Sequence, residues 1–475
     1  MTASWFARLI PVTVAVGGVA LAAMWLLSEP AVPKIVERVP GMDGTPPAVK
    51  HISVDLRGEI EHGTGTVPEE LSKGGGASWP WFRGVNFNNI APEAEAVRSW
   101  SAAGPAEVWE IKVGDGYAGA AIHQGRVYLL DYDMEKKADV LRCMSLADGK
   151  AIWTRSYPVE VKWNHGMSRT VPAVTDKYVV TIGPKCHVSC VDALTGEYQW
   201  GIDQVAAYQT KVPEWYAGQC PLIDGDLLIL APGGKEVLMM AVELATGKVV
   251  WQVANPHKWE MTHVSVVPMT LLGQKMYVYC GSNGVVAVDE AGGVVWETQE
   301  WKVKYAVASP VAIGEDRIFF SGGYKAGAMM MRLKKSKEGE GKKVESEVLY
   351  RLTEEEFGVE QQTPIFYKGY LYGVTMAKKG PLVCLDVETG KPVWNSGSEG
   401  FGSGPFMICG GQIWVVNDTG VLTVVEASPG GYRKLGQWAM FEEGNDAWGP
   451  LAVAEGRLLM RDFKRMICLN LREMR

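Results

Sequence analysis

Asp192-Ala-Leu-Thr-Gly-Glu-Tyr-Gln-Trp200 decides the fold, because the chain repeats it. The same line recurs as Leu146–Trp153 (LADGKAIW), Glu243–Trp251 (ELATGKVVW), Asp289–Trp296 (DEAGGVVW) and Asp386–Trp394 (DVETGKPVW). Each copy is a tight turn followed by an apolar strand that ends in tryptophan. Asp192, Glu243, Asp289 and Asp386 can accept hydrogen bonds from turn amides, as short acidic residues do in such turns. Gly196, Gly247 and Gly390 supply the positive φ that a tight hairpin needs.

Reading outward, weaker copies end at Tyr350 and Trp438, and Trp109 in Glu107–Val113 stands before the first complete unit. Consecutive aromatics lie 44 to 54 residues apart, the period of a β-propeller blade. Trp109, Trp153, Trp200, Trp251, Trp296, Trp394 and Trp438 are therefore structural residues that fill the wedge between neighbouring blades. There are eight such strands. The chain ends in Arg457–Leu471 (RLLMRDFKRMICLNL), which lacks an outer strand of its own. The orphan strand Val108–Val113 completes that last sheet and closes the ring, removing open edges. The expected fold is all-β: an eight-bladed propeller of four-stranded antiparallel blades over residues 107–475. The charged stretch Lys334–Glu345 is expected to be a solvated hairpin between the third and fourth strands of one blade.

Composition agrees. The 475 residues include 55 Gly and 18 Trp, many turns with a repeated aromatic position, and 47% hydrophobic residues, ample for a large core. The net charge of −7, with both signs interspersed, argues against a nucleic-acid partner, which needs a basic stripe. Of the eight cysteines, Cys143, Cys190, Cys384 and Cys468 occupy one equivalent place in successive repeats. Different blades hold such positions too far apart to bridge, so buried thiols are expected. Cys186 and Cys190 are the one pair close enough in sequence to consider.

Leu9–Leu27 is an uncharged apolar run after Arg8, long enough to cross a bilayer as a helix. Residues 1–27 thus read as an uncleaved anchor or a cleaved signal, the anchor being favoured because the apolar run continues past Ala20-Leu21-Ala22. Arg8 on the short side keeps the N-terminus cytoplasmic and exports the rest. Localisation is expected to be a single-pass cell membrane protein with its propeller on the periplasmic side. Residues 28–77, rich in Pro, Gly, Glu and Lys, read as a disordered tether; Pro47–Leu56 is its one stretch that could pair as a strand. Residues 78–106 form a lead-in segment.

The A/D-x-x-T-G-K/E-x-x-W turns resemble those of the PQQ-like propeller repeat family, which includes quinoprotein alcohol dehydrogenases and BamB-like proteins. Trp79-Pro80-Trp81-Phe82-Arg83-Gly84 is similar to a W-P-x-F-R-G segment found before the first blade in exported members. The resemblance implies the fold but no single function. Its dehydrogenase branch carries adjacent cysteines and a calcium-binding Glu, Asn and Asp set; this chain has no Cys-Cys pair and no C-x-x-C-H haem site. No cofactor is expected, with PQQ and calcium as the alternative.

In this topology the residues before each inner strand face the central funnel. Those strands begin near Pro172, Pro221, Pro268, Pro310, Pro364, Pro405 and Pro450. The funnel candidates are Tyr117; Trp163, Asn164, His165 and Arg169; Trp215, Tyr216 and Gln219; His257, Trp259 and His263; Trp301 and Tyr305; Gln361 and Gln362; Phe401 and Ser403; Asn445 and Trp448. Such aromatics with Arg, His and Gln suit a peptide, a partner loop or a sugar-like ligand, or they fold back and plug the funnel. His257-x5-His263 lacks helical support, so no metal site is expected. The expected role is a monomeric, non-enzymatic scaffold for a protein or peptide partner in the envelope. A PQQ-dependent dehydrogenase acting on an alcohol or sugar is the alternative.

Overall fold

Eight sheets follow one another along the chain, seven of them built around four consecutive antiparallel strands. The computed structural model describes residues 18, 19, 23, 54–72, 77–91, 100, 102–336, 344–376 and 380–472. The apolar run Leu9–Leu27 lies almost wholly outside them. No helix among the described residues is long and apolar enough to cross a membrane.

The first blade uses Ala121–His123, Arg126–Asp133, Ala138–Ser145 and Ala151–Pro158 as inner to outer strands. Six blades follow with the same order, from Ala173–Val174 to the outer strand Lys434–Ala439. The eighth combines Ala452–Ala454, Arg457–Arg461 and Arg465–Asn470 with Ala106–Lys112 as its outer strand. Trp109 pairs opposite Cys468 there, the expected ring closure. This seam is further tied by buried charge. The Asp131 carboxylate accepts from Gly114 N (2.7 Å) and Arg142 Nε (3.1 Å), and Arg461 donates to Ala118 O (3.1 Å) and Gly114 O (2.8 Å).

The wedge bond recurs at five of the eight aromatic positions; the Trp153 and Trp296 indoles lack a partner among the described residues and Trp438 donates to Ala102 O. The indole N–H of one blade donates to a turn carbonyl of the next: Trp109 to Leu146 O, Trp200 to Leu244 O, Trp251 to Glu290 O and Trp394 to Ser428 O, at 2.8–3.1 Å. Tyr350 Oη does the same to Val387 O (2.9 Å). The turn glycine then lies flat on that ring. Gly247 has φ +69°, and a Cβ there would stand 2.7 Å from the Trp200 indole. Asp192 and Asp386 accept from two turn amides each, at 2.8–3.0 Å. Glu243 differs, since its longer side chain takes the Thr246 hydroxyl instead. All eight cysteines are buried free thiols, and Cys186 does not pair with Cys190.

Two blades depart from four strands. Glu59–His62 pairs with Ala151–Pro158 as a fifth, outermost strand of the first blade, and Leu56 is buried against Tyr132 and Tyr157. The tether reading of 28–77 is therefore corrected for residues 54–72. Leu56 ends the stretch expected to pair, and the strand itself, with Ile60 and His62, begins three residues beyond it. Ile90–Ala91 adds a parallel inner strand beside Phe406–Cys409 of the seventh blade.

That second addition belongs to a larger feature. The lead-in segment 77–91 crosses the axial channel. Trp79 bridges to Ile122 of the first blade, Pro80 O accepts from Val174 N of the second (2.8 Å), and Arg83 Nη2 reaches Pro364 O of the sixth (3.4 Å). Asn89 Nδ2 donates to Phe406 O of the seventh (2.6 Å). Trp81 stacks on Phe87 with centroids 5.4 Å apart, and their apolar surface covers the inner ends of the blades. The segment is a plug, and its aromatics were the signal for it.

Candidate funnel site

All eight blade-to-blade loops converge above that plug. A cavity of ≈ 320 Å³ opens between them, with Phe82 of the plug among its lining residues. Of the sequence candidates, Tyr117, His165, Arg169, Trp215, His263, Gln361, Gln362, Ser403 and Trp448 line it. Five further polar or aromatic contributors were not anticipated: Phe82, Cys220, Ser265, Tyr324 and Glu360. Glu360 sits one residue before the expected Gln361, whereas Tyr324 is in the turn between Arg317–Gly322 and Gly327–Lys335, which only the fold brings inward.

The remaining candidates go elsewhere. Trp259, Trp301 and Phe401 are core residues between blades. Tyr216 is buried with Tyr132 and Met167, its hydroxyl on Lys162 O. Gln219 is buried and exchanges hydrogen bonds with Ala231 N and O at 3.1 Å, a structural amide. These five are corrected from funnel-facing to structural; a buried indole or amide satisfies itself against the neighbouring blade more favourably than against water. Asn445 is exposed and serves through its carbonyl, which accepts from Phe463 N (2.9 Å). Asn164 uses its carbonyl toward Arg169. Trp163 is 62% exposed and stands on the rim, stacked on His165 at 6.5 Å. Tyr305 packs on Trp215 (5.3 Å) and Tyr324 (5.5 Å) at the edge of the cavity. His257 meets Glu297 at 3.3 Å on the outside, apart from His263.

The funnel loops hold an unusual backbone. His165 (φ 48°), Trp215 (65°), Tyr216 (71°), Tyr324 (54°) and Asp446 (47°) all occupy the left-handed region, which bulky residues rarely adopt. The left-handed turn is what swings Trp215 and Tyr324 over the cavity, where they stack at 5.9 Å. On the opposite wall Tyr117 and Trp448 lie 4.9 Å apart, with Trp448 Nε1 donating to Asp418 Oδ1 (2.6 Å).

One cation is built into the wall. Arg169 lies 5.2 Å over the Tyr117 ring and donates to the carbonyls of Trp215 and His165, the latter at 2.7 Å. Burial lowers its pKa to about 10, so it stays charged at neutral pH. Burial, followed by the Arg169 charge, pushes His263 down to about 4, leaving a neutral imidazole. Burial and then Asp446 raise Tyr117 to about 12. Cys220 is held by the main chain, accepting from Val171 N (3.2 Å), and burial raises its thiol to about 11. That is the opposite of an activated thiolate. The wall thus offers π surface, one fixed guanidinium, amides and a single carboxylate. Among the described residues, no group of three His, Cys, Asp or Glu is placed to hold a metal.

No protein among the curated sequences matches this chain. Among solved structures it is similar to BamB from Moraxella catarrhalis, at 13% identity and TM-score 0.51, covering 77% of this chain and 99% of that one. The computationally designed Ika8 protein gives the same TM-score and coverage at 9% identity. A europium-containing methanol dehydrogenase aligns at 12% identity and TM-score 0.45, over 84% of this chain and 90% of that chain. These likenesses concern the fold. A family profile described as "Outer membrane protein assembly factor BamB" matches residues 136–396, more than half of the sequence, and the chain belongs to that family of PQQ-like β-propellers.

Proposed function

We propose that this protein is a non-enzymatic binding scaffold of the cell envelope, held at the membrane by its N-terminal apolar segment, whose funnel receives a segment of a protein partner. The observation that carries the reading is the strained aromatic wall. Holding a bulky residue in the left-handed region costs about 1–3 kcal/mol, and such strain clusters where side-chain placement matters. Here three cavity-lining residues, His165, Trp215 and Tyr324, hold it together. Aromatic side chains around one Arg form the composition of an interface core, and the cavity is the size of a few side chains. The family profile's description, an outer-membrane assembly factor, is compatible with a binding role.

A calcium-bound quinone fits these residues poorly. Calcium takes about six to eight oxygen ligands, largely carboxylates, whereas Glu360 is the one carboxylate among the lining residues. The test is a pull-down from envelope extract with the wild type and with Trp163→Ala, Trp215→Ala and Trp448→Ala. Loss of the bound partner is expected for Trp215→Ala and Trp448→Ala, with partial loss for the rim residue. A partner retained by all three variants would sink the funnel reading.

A further inference from the structure

Behind the funnel floor lies a second, much smaller space of ≈ 10 Å³ that shares Phe82, Cys220 and Ser265 with the funnel and adds Arg83 and Ser309. By volume it takes a single occupant of monatomic size, since it lies near the smallest space that holds one water. Two of its polar groups lack partners. Arg83 is 5% exposed, its Nε makes no hydrogen bond, and its single bond is the 3.4 Å contact from Nη2 to Pro364 O. Ser309 is 1% exposed and its Oγ is also unpartnered, although its N–H donates to Thr363 Oγ1 (2.9 Å). Burial lowers the Arg83 pKa to about 9, and no charge among the described residues contributes, so the group remains a cation at neutral pH. No carboxylate among the described residues pairs with it. A buried, uncompensated guanidinium is strongly unfavourable. A water would satisfy an N–H and leave the charge, whereas an anion answers both.

We propose that Arg83 and Ser309 hold a small monovalent anion of chloride size in the axial channel, beneath the funnel floor. The ion accepts from the guanidinium and from the Ser309 hydroxyl. It neutralises the plug, and because Arg83 reaches the sixth blade while Trp79 is fixed to the first, it locks the plug across the ring. Sulfate and phosphate exceed the space. The site is independent of what the funnel binds.

The test is thermal unfolding of the detergent-solubilised full-length chain, in chloride and in gluconate at equal ionic strength. The midpoint is expected to rise by about 2 °C for each tenfold increase in chloride above saturation onset, with no such rise in gluconate. Arg83→Met should abolish the difference between the salts. Equal midpoints in chloride and gluconate, or a chloride response that survives Arg83→Met, would overturn the proposal. Should Arg83→Met fail to fold, Ser309→Ala decides: a weakened chloride response supports the site and an unchanged one refutes it. A bromide-soaked crystal should show an anomalous peak between Arg83 and Ser309; water density alone there refutes it.

Discussion

The outer turns of the blades and the loops of the funnel both set tryptophan beside positive-φ backbone, yet they do so in opposite ways. In the turns the left-handed residue is glycine and the indole belongs to the preceding blade, as with Gly247 on Trp200. The conformation is free of Cβ strain, and the close approach makes packing. In the funnel the left-handed residue is itself the aromatic, as with Trp215 and Tyr324. The conformation is strained, and the side chain is aimed at a cavity. The first arrangement maximises stability and the second gives some of it up for placement.

Five measurements can break or sharpen that contrast. Trp200→Ala empties a wedge and should lower unfolding free energy by about 3–5 kcal/mol in a denaturant titration. Gly247→Ala should lose about 2–4 kcal/mol, because it adds both left-handed strain and a clash with the indole. Combined with Trp200→Ala, its cost should shrink to the strain part alone, since the clash is gone; full additivity would show that the ring contact is unimportant.

Acidification should act on the funnel and spare the wedges. His263 titrates near 4 in the fold and near 6.5 unfolded. Above pH 6.5 both states are neutral and its contribution is complete. As pH falls toward 4 the unfolded state takes the proton first, and up to about 3 kcal/mol is lost. His263→Gln should flatten that slope, and an unchanged slope would place the titration elsewhere. The smallest stability effect is expected for Tyr324→Gly. Relief of strain offsets lost packing to within about 1 kcal/mol, while partner capture by the funnel falls. A large loss of stability there would remove the contrast with the turns.

The blade count, the closing strand and the role of the wedge tryptophans were legible because a period of repeated turns encodes local hairpins, and local hairpins of one kind stack in one way. The funnel windows were half legible. Proline marked seven of the eight inner strands, so Arg169, His263 and Trp448 could be placed near the axis, and Tyr117 followed from the repeat. Trp259, Trp301 and Phe401 look the same in sequence but bury themselves between blades. Nothing within a few residues of them tells an inward ring from a core ring.

By itself the sequence determined the architecture, since turn chemistry and aromatic spacing are properties of contiguous residues. Tertiary structure alone decided three things. It turned His165, Trp215 and Tyr324 into the left-handed region over one cavity. It ran residues 77–91 across the channel, where Arg83 meets the sixth blade some 280 positions further along. It also drew Glu59–His62 onto the first blade. Each depends on surfaces contributed by residues far apart in the chain, whose complementarity exists only once the ring has closed.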